Sequence, residues 1–129
     1  MRTQIKDAPS WEERYRLLIQ SGKNLPRPDE QQLAQMQPIS GCEAKVWFKF
    51  EEKSNRTFMF NAFSEARIIN GLLWLILQEI NGKTAEQLQS FGLTAYFDEL
   101  GIAQRLSSTR LNGLKQIEQI VRNLATCTN

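Results

Sequence analysis

The sequence predicts an α+β domain, with N-terminal helices, a small antiparallel sheet of about three strands, and C-terminal helices packed on that sheet. Three observations predict this class: a capped helix near the N-terminus, alternating apolar residues in the middle, and a nearly all-apolar helical run followed by more helices. With 129 residues the chain is expected to form one domain over residues 1–129, with a core of its own.

The N-terminal part is predicted to hold two helices before the sheet. Ser10 and Glu13 have the spacing of a capping box, which predicts that the first helix begins directly after Ser10. Gly22 is interpreted as the stop of that helix. A second, short helix is expected to open with Pro28 as its first residue, and it must end before Pro38.

The sheet is predicted from alternation. Val46, Phe48 and Phe50 alternate with the residues between them, as in a half-buried strand. A polar turn over residues 52–56 leads to a second strand over residues 57–63, which indicates an antiparallel hairpin. Because two strands alone are marginally stable, a third short strand is expected around residues 38–41 or at an edge.

The remaining chain is predicted to be helical. Residues 68–77 are apolar on nearly all sides, which is typical of a buried central helix and too short for a membrane span. Ser64 is interpreted as its N-cap, and Gly71 as a point of close approach to a neighbour. Three further helices are expected. One begins at a capping box that starts with Thr84, one ends at Gly101, and the last begins after a cap at Ser107 or Ser108 and keeps apolar residues at helical spacing.

Composition excludes several classes of partner. Sixteen basic and fourteen acidic residues give a net charge of +2, too near neutrality to favour nucleic acid or a membrane surface. The first residues lack the apolar stretch of a signal peptide, so the protein is expected in the cytoplasm, where thiols stay reduced. Of the two cysteines, Cys127 lies near the C-terminus and is read as incidental.

The most reactive candidate is Cys42, which follows Gly41 just before the first strand. The chain has no histidine, which disfavours both cysteine hydrolase chemistry and a metal centre. A lone exposed thiolate can still take sulfur from a disulfide or persulfide, and a nearby cation such as Lys45 or Arg110 would favour the thiolate. The alternatives remain open at this point: Cys42 as a small core residue, and Arg110 as an ordinary exposed helix residue.

Five segments in fixed order carry a more specific signal. They are residues 11–15 (WEERY) with 22–26 (GKNLP), 39–43 (ISGCE) with 46–47 (VW), 64–65 (SE) with 67–69 (RII) and 71–73 (GLL), 97–101 (FDELG), and 106–110 (LSSTR) with 113–114 (GL). In these segments the chain resembles the SufE family of sulfur acceptor proteins, most closely its CsdE-like branch. One departure is Phe63, which stands where the family usually has an acidic residue in Gly-Asp-Ser.

The resemblance implies a fold shared with iron–sulfur scaffold proteins (SufE/NifU-like) and a persulfide-forming Cys42, supported by Gly41, Glu43 and Arg110. It implies a carrier rather than an enzyme, with no cofactor of its own. Its partners would be a pyridoxal-phosphate-dependent cysteine desulfurase, which it stimulates, and a downstream sulfur acceptor or iron–sulfur scaffold. The alternative is a non-covalent module that docks a desulfurase or scaffold, with Cys42 structural.

Overall fold

A computed structural model of the chain describes residues 2–39 and 45–127. This part of the chain contains seven α-helices, four strands and one short 3-10 helix, in the order α1 (Arg2–Lys6), α2 (Trp11–Gly22), α3 (Glu30–Gln35), β1 (Gln37–Ile39), β2 (Val46–Glu52), β3 (Thr57–Ser64), α4 (Arg67–Ile80), β4 (Lys83–Thr84), α5 (Ala85–Leu88), α6 (Leu93–Glu99), the 3-10 helix (Ala103–Arg105) and α7 (Ser108–Cys127). The predicted α+β class is confirmed.

The strands form one antiparallel sheet in the order β1-β2-β3-β4. The hairpin of β2 and β3 pairs Phe48 with Ala62 and Phe50 with Phe60, as the alternation predicted. The expected third strand is β1, which pairs with β2. The sheet has one strand more than the predicted three, because β4 is only two residues long and leaves no periodic signal.

Only one of the two hydrogen bonds of the predicted capping box forms at the start of α2. Ser10 is the N-cap, and its side chain accepts a hydrogen bond from the Glu13 amide at 3.2 Å. The Glu13 carboxylate does not complete the capping box, because it accepts hydrogen bonds from Arg16 instead. The helix ends at Gly22, but the C-cap is Lys23 in right-handed helical conformation, so Gly22 is not a left-handed stop.

Two short N-terminal helices differ from the prediction. The first, α1, was not predicted, since five residues are too few to show a helical period; the Arg14 guanidinium binds its end through the Ile5 carbonyl at 3.0 Å. The second, α3, begins after Asp29 and not at Pro28. Asp29 accepts from the Gln32 amide at 2.8 Å and donates its own amide to the Gln32 side chain, a reciprocal cap that determines the start.

The core is built around α4, which packs on β3 on one side and on α2 on the other. Nine residues of this helix are buried, which confirms the prediction of a central helix. A Cβ on Gly71 would lie 2.0 Å from the Leu18 carbonyl oxygen, so the predicted close approach at Gly71 is also confirmed. Within residues 2–39 and 45–127, no helix combines the length and the apolar character that crossing a membrane requires.

The C-terminal helices follow their predicted signals. Thr84 and Gln87 form the expected capping box at α5. Gly101 follows α6 with a φ of 75°, a left-handed conformation that favours glycine. The Ser107 hydroxyl accepts from the Arg110 amide at 3.2 Å, so Ser107 caps α7, which contacts α5, α6 and β1.

Candidate functional site

The predicted reactive residue and two of its neighbours, Cys42, Gly41 and Glu43, lie outside the described residues. The residues that flank them are described. Ile39, the last residue of β1, and Val46, the first of β2, are antiparallel partners. Both are buried. The chain therefore enters and leaves the Cys42 segment (residues 40–44) at paired, buried positions of the sheet.

The exit from this segment is held by a cluster of polar contacts. The Ser64 hydroxyl donates to the Lys45 carbonyl at 2.6 Å and accepts from the Ala66 amide at 3.2 Å. The Asn70 side chain binds both backbone groups of Ser64: its oxygen accepts from the amide at 2.7 Å, and its nitrogen donates to the carbonyl at 2.8 Å. We name Lys45, Ser64 and Asn70 the Lys45 junction. It joins β3, the start of α4 and the backbone that follows Cys42.

The prediction that Ser64 caps α4 is wrong. Ser64 is the last residue of β3, and the N-cap of α4 is Ala66, which makes no side-chain capping bond. A fully buried hydroxyl must find a partner, and the carbonyl of Lys45, the residue before β2, lies within reach of it. Serine before an apolar helix has the same local sequence pattern in both situations, so sequence alone favoured the cap.

The opposite face of the sheet carries a row of apolar side chains at the same level. Pro38, Trp47 and Phe63 are successive partners across β1, β2 and β3. The rings of Trp47 and Phe63 stack, with centroids 6.3 Å apart and planes at 26°. The Arg27 guanidinium lies over the Phe63 ring at 6.0 Å from its centroid. Phe63, which departs from the family pattern, therefore packs between an indole and a cation.

Arg110, the predicted supporting cation, is the third residue of α7 and is half-buried. Its helix contacts β1, the strand that leads into the Cys42 segment. The other candidate cation, Lys45, has an exposed side chain, while its carbonyl oxygen belongs to the junction. The structure thus brings the helix of Arg110 and the backbone of Lys45 to the two strands that flank Cys42.

The described residues offer little to a metal ion. Among them, no group of three or more histidine, cysteine, aspartate or glutamate side chains is arranged to hold a metal. Every buried side-chain nitrogen or oxygen in the same ranges has a hydrogen-bond partner. The polar groups near the Cys42 segment are thus used in fixing the backbone.

A comparison with models of known protein families shows to which family the chain belongs. The model of the SufE family, described as an Fe-S metabolism associated domain, matches residues 1–125. The chain belongs to the SufE family. The resemblance carried by the five sequence segments is therefore confirmed.

Curated relatives of this SufE-family chain cover nearly all of it. A protein of Haemophilus influenzae, described as an uncharacterized SufE-like protein, is 62% identical over 121 residues, which are 94% of this chain and 96% of the relative. The sulfur acceptor protein CsdE of Escherichia coli is 38% identical over 121 residues, which are 94% of this chain and 82% of that protein.

A solved structure supports the fold. The solution structure of a hypothetical protein from Thermus thermophilus superposes with a TM-score of 0.73 and covers 93% of this chain and 86% of its own. Its sequence identity is 14%, so this likeness concerns the fold alone.

Sequence reasoning missed the role of Asn70 and misassigned that of Ser64. Asn70 interrupts the apolar run of α4, and a single amide in such a run is a usable signal, because a polar side chain there needs a partner. Its partner, Ser64, lies across the chain reversal between β3 and α4, and the geometry of that reversal is not readable from spacing.

Proposed function

We propose that this SufE-family protein is a sulfur acceptor and carrier that takes persulfide sulfur onto Cys42 from a pyridoxal-phosphate-dependent cysteine desulfurase. The observation that carries this proposal is the match over nearly the whole chain to a relative described as a sulfur acceptor protein, at 38% identity. Cys42 stands in the segment ISGCE, on which the family resemblance rests.

The proposed transfer is one exchange at sulfur. The Cys42 thiolate attacks the terminal sulfur of the desulfurase persulfide, and a new S–S bond forms as the old one breaks. The desulfurase cysteine leaves as a thiolate, and the terminal sulfur with its proton remains on Cys42 as Cys42-S-SH. Atoms and charge balance without a cofactor, oxidant or reductant on this chain.

The described geometry on both sides of the Cys42 segment suits a carrier. Ile39 and Val46, which flank this segment, are buried partners in the sheet. Buried anchors hold the flanking backbone at a constant place. Arg110, on the helix that contacts β1, is proposed to favour the Cys42 thiolate through its positive charge.

Two consequences follow from the proposed exchange. Removal of the persulfide frees the desulfurase cysteine for its next turnover, so the protein is expected to stimulate the desulfurase. Cys42-S-SH then gives its outer sulfur to a downstream acceptor or an iron–sulfur scaffold by the same chemistry. In this role Gly41 and Glu43 are supporting residues beside the reactive thiol.

Sulfur labelling tests the proposal. The protein is incubated with a cysteine desulfurase and ³⁵S-labelled cysteine, and the label is located by peptide mass analysis under non-reducing conditions. We expect label on Cys42 in the wild type and in Cys127→Ser, and none in Cys42→Ser. If Cys42→Ser takes up as much label as the wild type, the assignment of Cys42 is overturned. If the wild-type protein binds the desulfurase but neither it nor any variant takes up label, the protein is a non-covalent module.

The role of Arg110 has its own test. Alkylation of Cys42 is followed against pH in Arg110→Ala and in Lys115→Ala, a control that removes an exposed cation from the same helix. Loss of a cation near the thiol moves the alkylation midpoint to higher pH, toward the unperturbed value of about 8.5. We expect this shift only in Arg110→Ala; equal curves in the two variants contradict the proposed role.

A further inference from the structure

Ser64 contacts the backbone that follows Cys42, Asn70 contacts Ser64, and the proposed exchange assigns neither residue a part. Ser64 and Ser21 are the two fully buried polar side chains among the described residues. Ser21 donates to the Leu17 carbonyl within its own helix at 2.8 Å. Ser64 instead donates to the carbonyl of Lys45, the residue before β2, which is separated from it by 19 positions in the chain.

We propose that Ser64 and Asn70 are positioning residues for sulfur transfer, which fix the point from which the Cys42 segment departs; this inference rests on the proposed function. Lys45 is the first described residue after Cys42. Its backbone carbonyl is held by Ser64, so the orientation of this peptide group depends on a side chain of β3.

Asn70 makes this arrangement rigid. Its amide group binds both the N–H and the carbonyl of Ser64, which fixes the Ser64 backbone by two bonds at once. Asn70 itself belongs to α4, whose buried residues form the centre of the core. The position of the Lys45 carbonyl is thereby coupled, through Ser64, to the central helix α4. Consecutive hydrogen bonds in a buried environment form a rigid network, because each bond restricts the geometry of the next.

The same helix provides an internal comparison. At the other end of α4, the Asn81 side chain accepts a hydrogen bond from the Phe60 amide of β3 at 2.6 Å. Asn70 and Asn81 therefore both tie α4 to β3, but Phe60 has no described bond to Lys45. If the junction serves only stability, the two asparagines are equivalent. If it positions Cys42, only Asn70 affects sulfur transfer.

The test compares Ser64→Ala with Ser21→Ala and Asn70→Ala with Asn81→Ala. Each variant is mixed with an excess of desulfurase that carries its persulfide, and the desulfurase concentration is varied. Single-turnover sulfur uptake on Cys42 is then followed at a temperature well below the melting temperature of the variant. We expect Ser64→Ala and Asn70→Ala to lower the saturating rate about five-fold, the effect of one ordinary hydrogen bond, with the half-saturating concentration unchanged. Ser21→Ala and Asn81→Ala should melt lower but keep the wild-type rate.

A conservative variant tests whether the Ser64 hydroxyl itself is needed. Ser64→Thr keeps the hydroxyl and is expected to keep the wild-type rate. If Ser64→Ala does not fold, the asparagine pair decides. Equal saturating rates within each matched pair overturn the positioning role while the proposed function stands. No uptake on Cys42 by the wild type overturns the proposed function, and the inference with it.

Discussion

Two adjacent residues of α4, Gly71 and Asn70, fix the helix by different kinds of contact. Gly71 lets the helix approach α2 so closely that a Cβ there would lie 2.0 Å from the Leu18 carbonyl oxygen. Asn70 forms hydrogen bonds to Ser64, which in turn reaches Lys45, the residue before β2. The first contact is steric and continuous, and the second consists of a few directed bonds.

The difference separates stability from positioning. Close helix packing buries apolar surface over several turns, so its loss affects the whole core. A directed bond contributes only about 1 kcal/mol to stability, but it determines where one peptide group lies. We therefore expect substitution of Gly71 to change the free energy of unfolding most, and substitutions at the Lys45 junction to change sulfur transfer most.

The largest expected effect is that of Gly71→Ala. The added methyl group meets backbone atoms of α2, which cannot turn aside as a side chain can, so the two helices must separate. Overpacking of this kind costs about 3 kcal/mol or more in the free energy of unfolding. Urea unfolding followed by circular dichroism measures it.

Gly92→Ala is the matched control for that substitution. A Cβ at Gly92 would lie 3.8 Å from the Ala95 Cβ, an ordinary contact, and the φ of −120° suits any residue. Its cost should stay within about 1 kcal/mol, the loss expected when alanine replaces glycine at an N-cap. Equal losses for the two variants would show that the α2 contact is not steric.

The close approach at Gly71 was predictable from the sequence, and the hydrogen bonds of Asn70 and Ser64 were not. Gly71 could be assigned because glycine within an apolar helix costs stability and indicates a close neighbour. Ser10 and Thr84 could be assigned because a cap and its helix are adjacent in the chain. For Ser64 the local pattern favoured the wrong partner, because the true one, Lys45, lies 19 positions earlier in the chain.

The candidate site shows the same limit. The resemblance predicts the roles of Cys42 and Arg110 through local motifs, and the register of β1 and β2 supplies what the motifs lack, the paired anchors Ile39 and Val46. The motifs single out Phe63 as well, but its stacking on Trp47 required the pairing of β2 with β3. Contacts between residues distant in sequence depend on a register that local patterns do not determine.

Glu118 of α7 makes a second polar contact between residues distant in sequence. The N-cap of α6, Gly92, has no side chain, and the Glu118 carboxylate of α7 accepts the Leu93 amide hydrogen bond instead. Glu118→Ala is expected to lower the free energy of unfolding by about 1 to 2 kcal/mol, the usual cost of a lost cap. Glu118→Gln keeps an acceptor and should lose less in the same urea titration; equal losses would contradict a capping role.

Phe63→Asp, which introduces the acidic residue that the resemblance predicts at this position, is expected to have a smaller effect. The substitution removes the stack on Trp47 and the contact with Arg27, each worth of order 1 kcal/mol or less, while a new carboxylate near Arg27 recovers part of the loss. We expect a net loss of about 1 kcal/mol by urea unfolding. Phe63→Leu, which keeps an apolar side chain without the ring, should lose less than Phe63→Asp, and a Phe63→Leu variant as stable as the wild type would show that the ring contacts contribute nothing.

The smallest expected effect is at the exposed Glu13–Arg16 pair of α2, the opposite extreme to the buried junction. The hydrogen bond from Arg16, helped by its charge, holds the pKa of the Glu13 carboxyl below its usual range. A lowered pKa stabilises the folded state above the unfolded value of about 4.3, and this stabilisation is lost as the pH falls through the folded value. The difference in urea midpoint between wild type and Glu13→Gln should therefore be small and positive at pH 7, and it should shrink as the pH falls below about 4 and on addition of about 1 M salt. A difference that grows on acidification would show that Arg16 does not stabilise the charged form of Glu13.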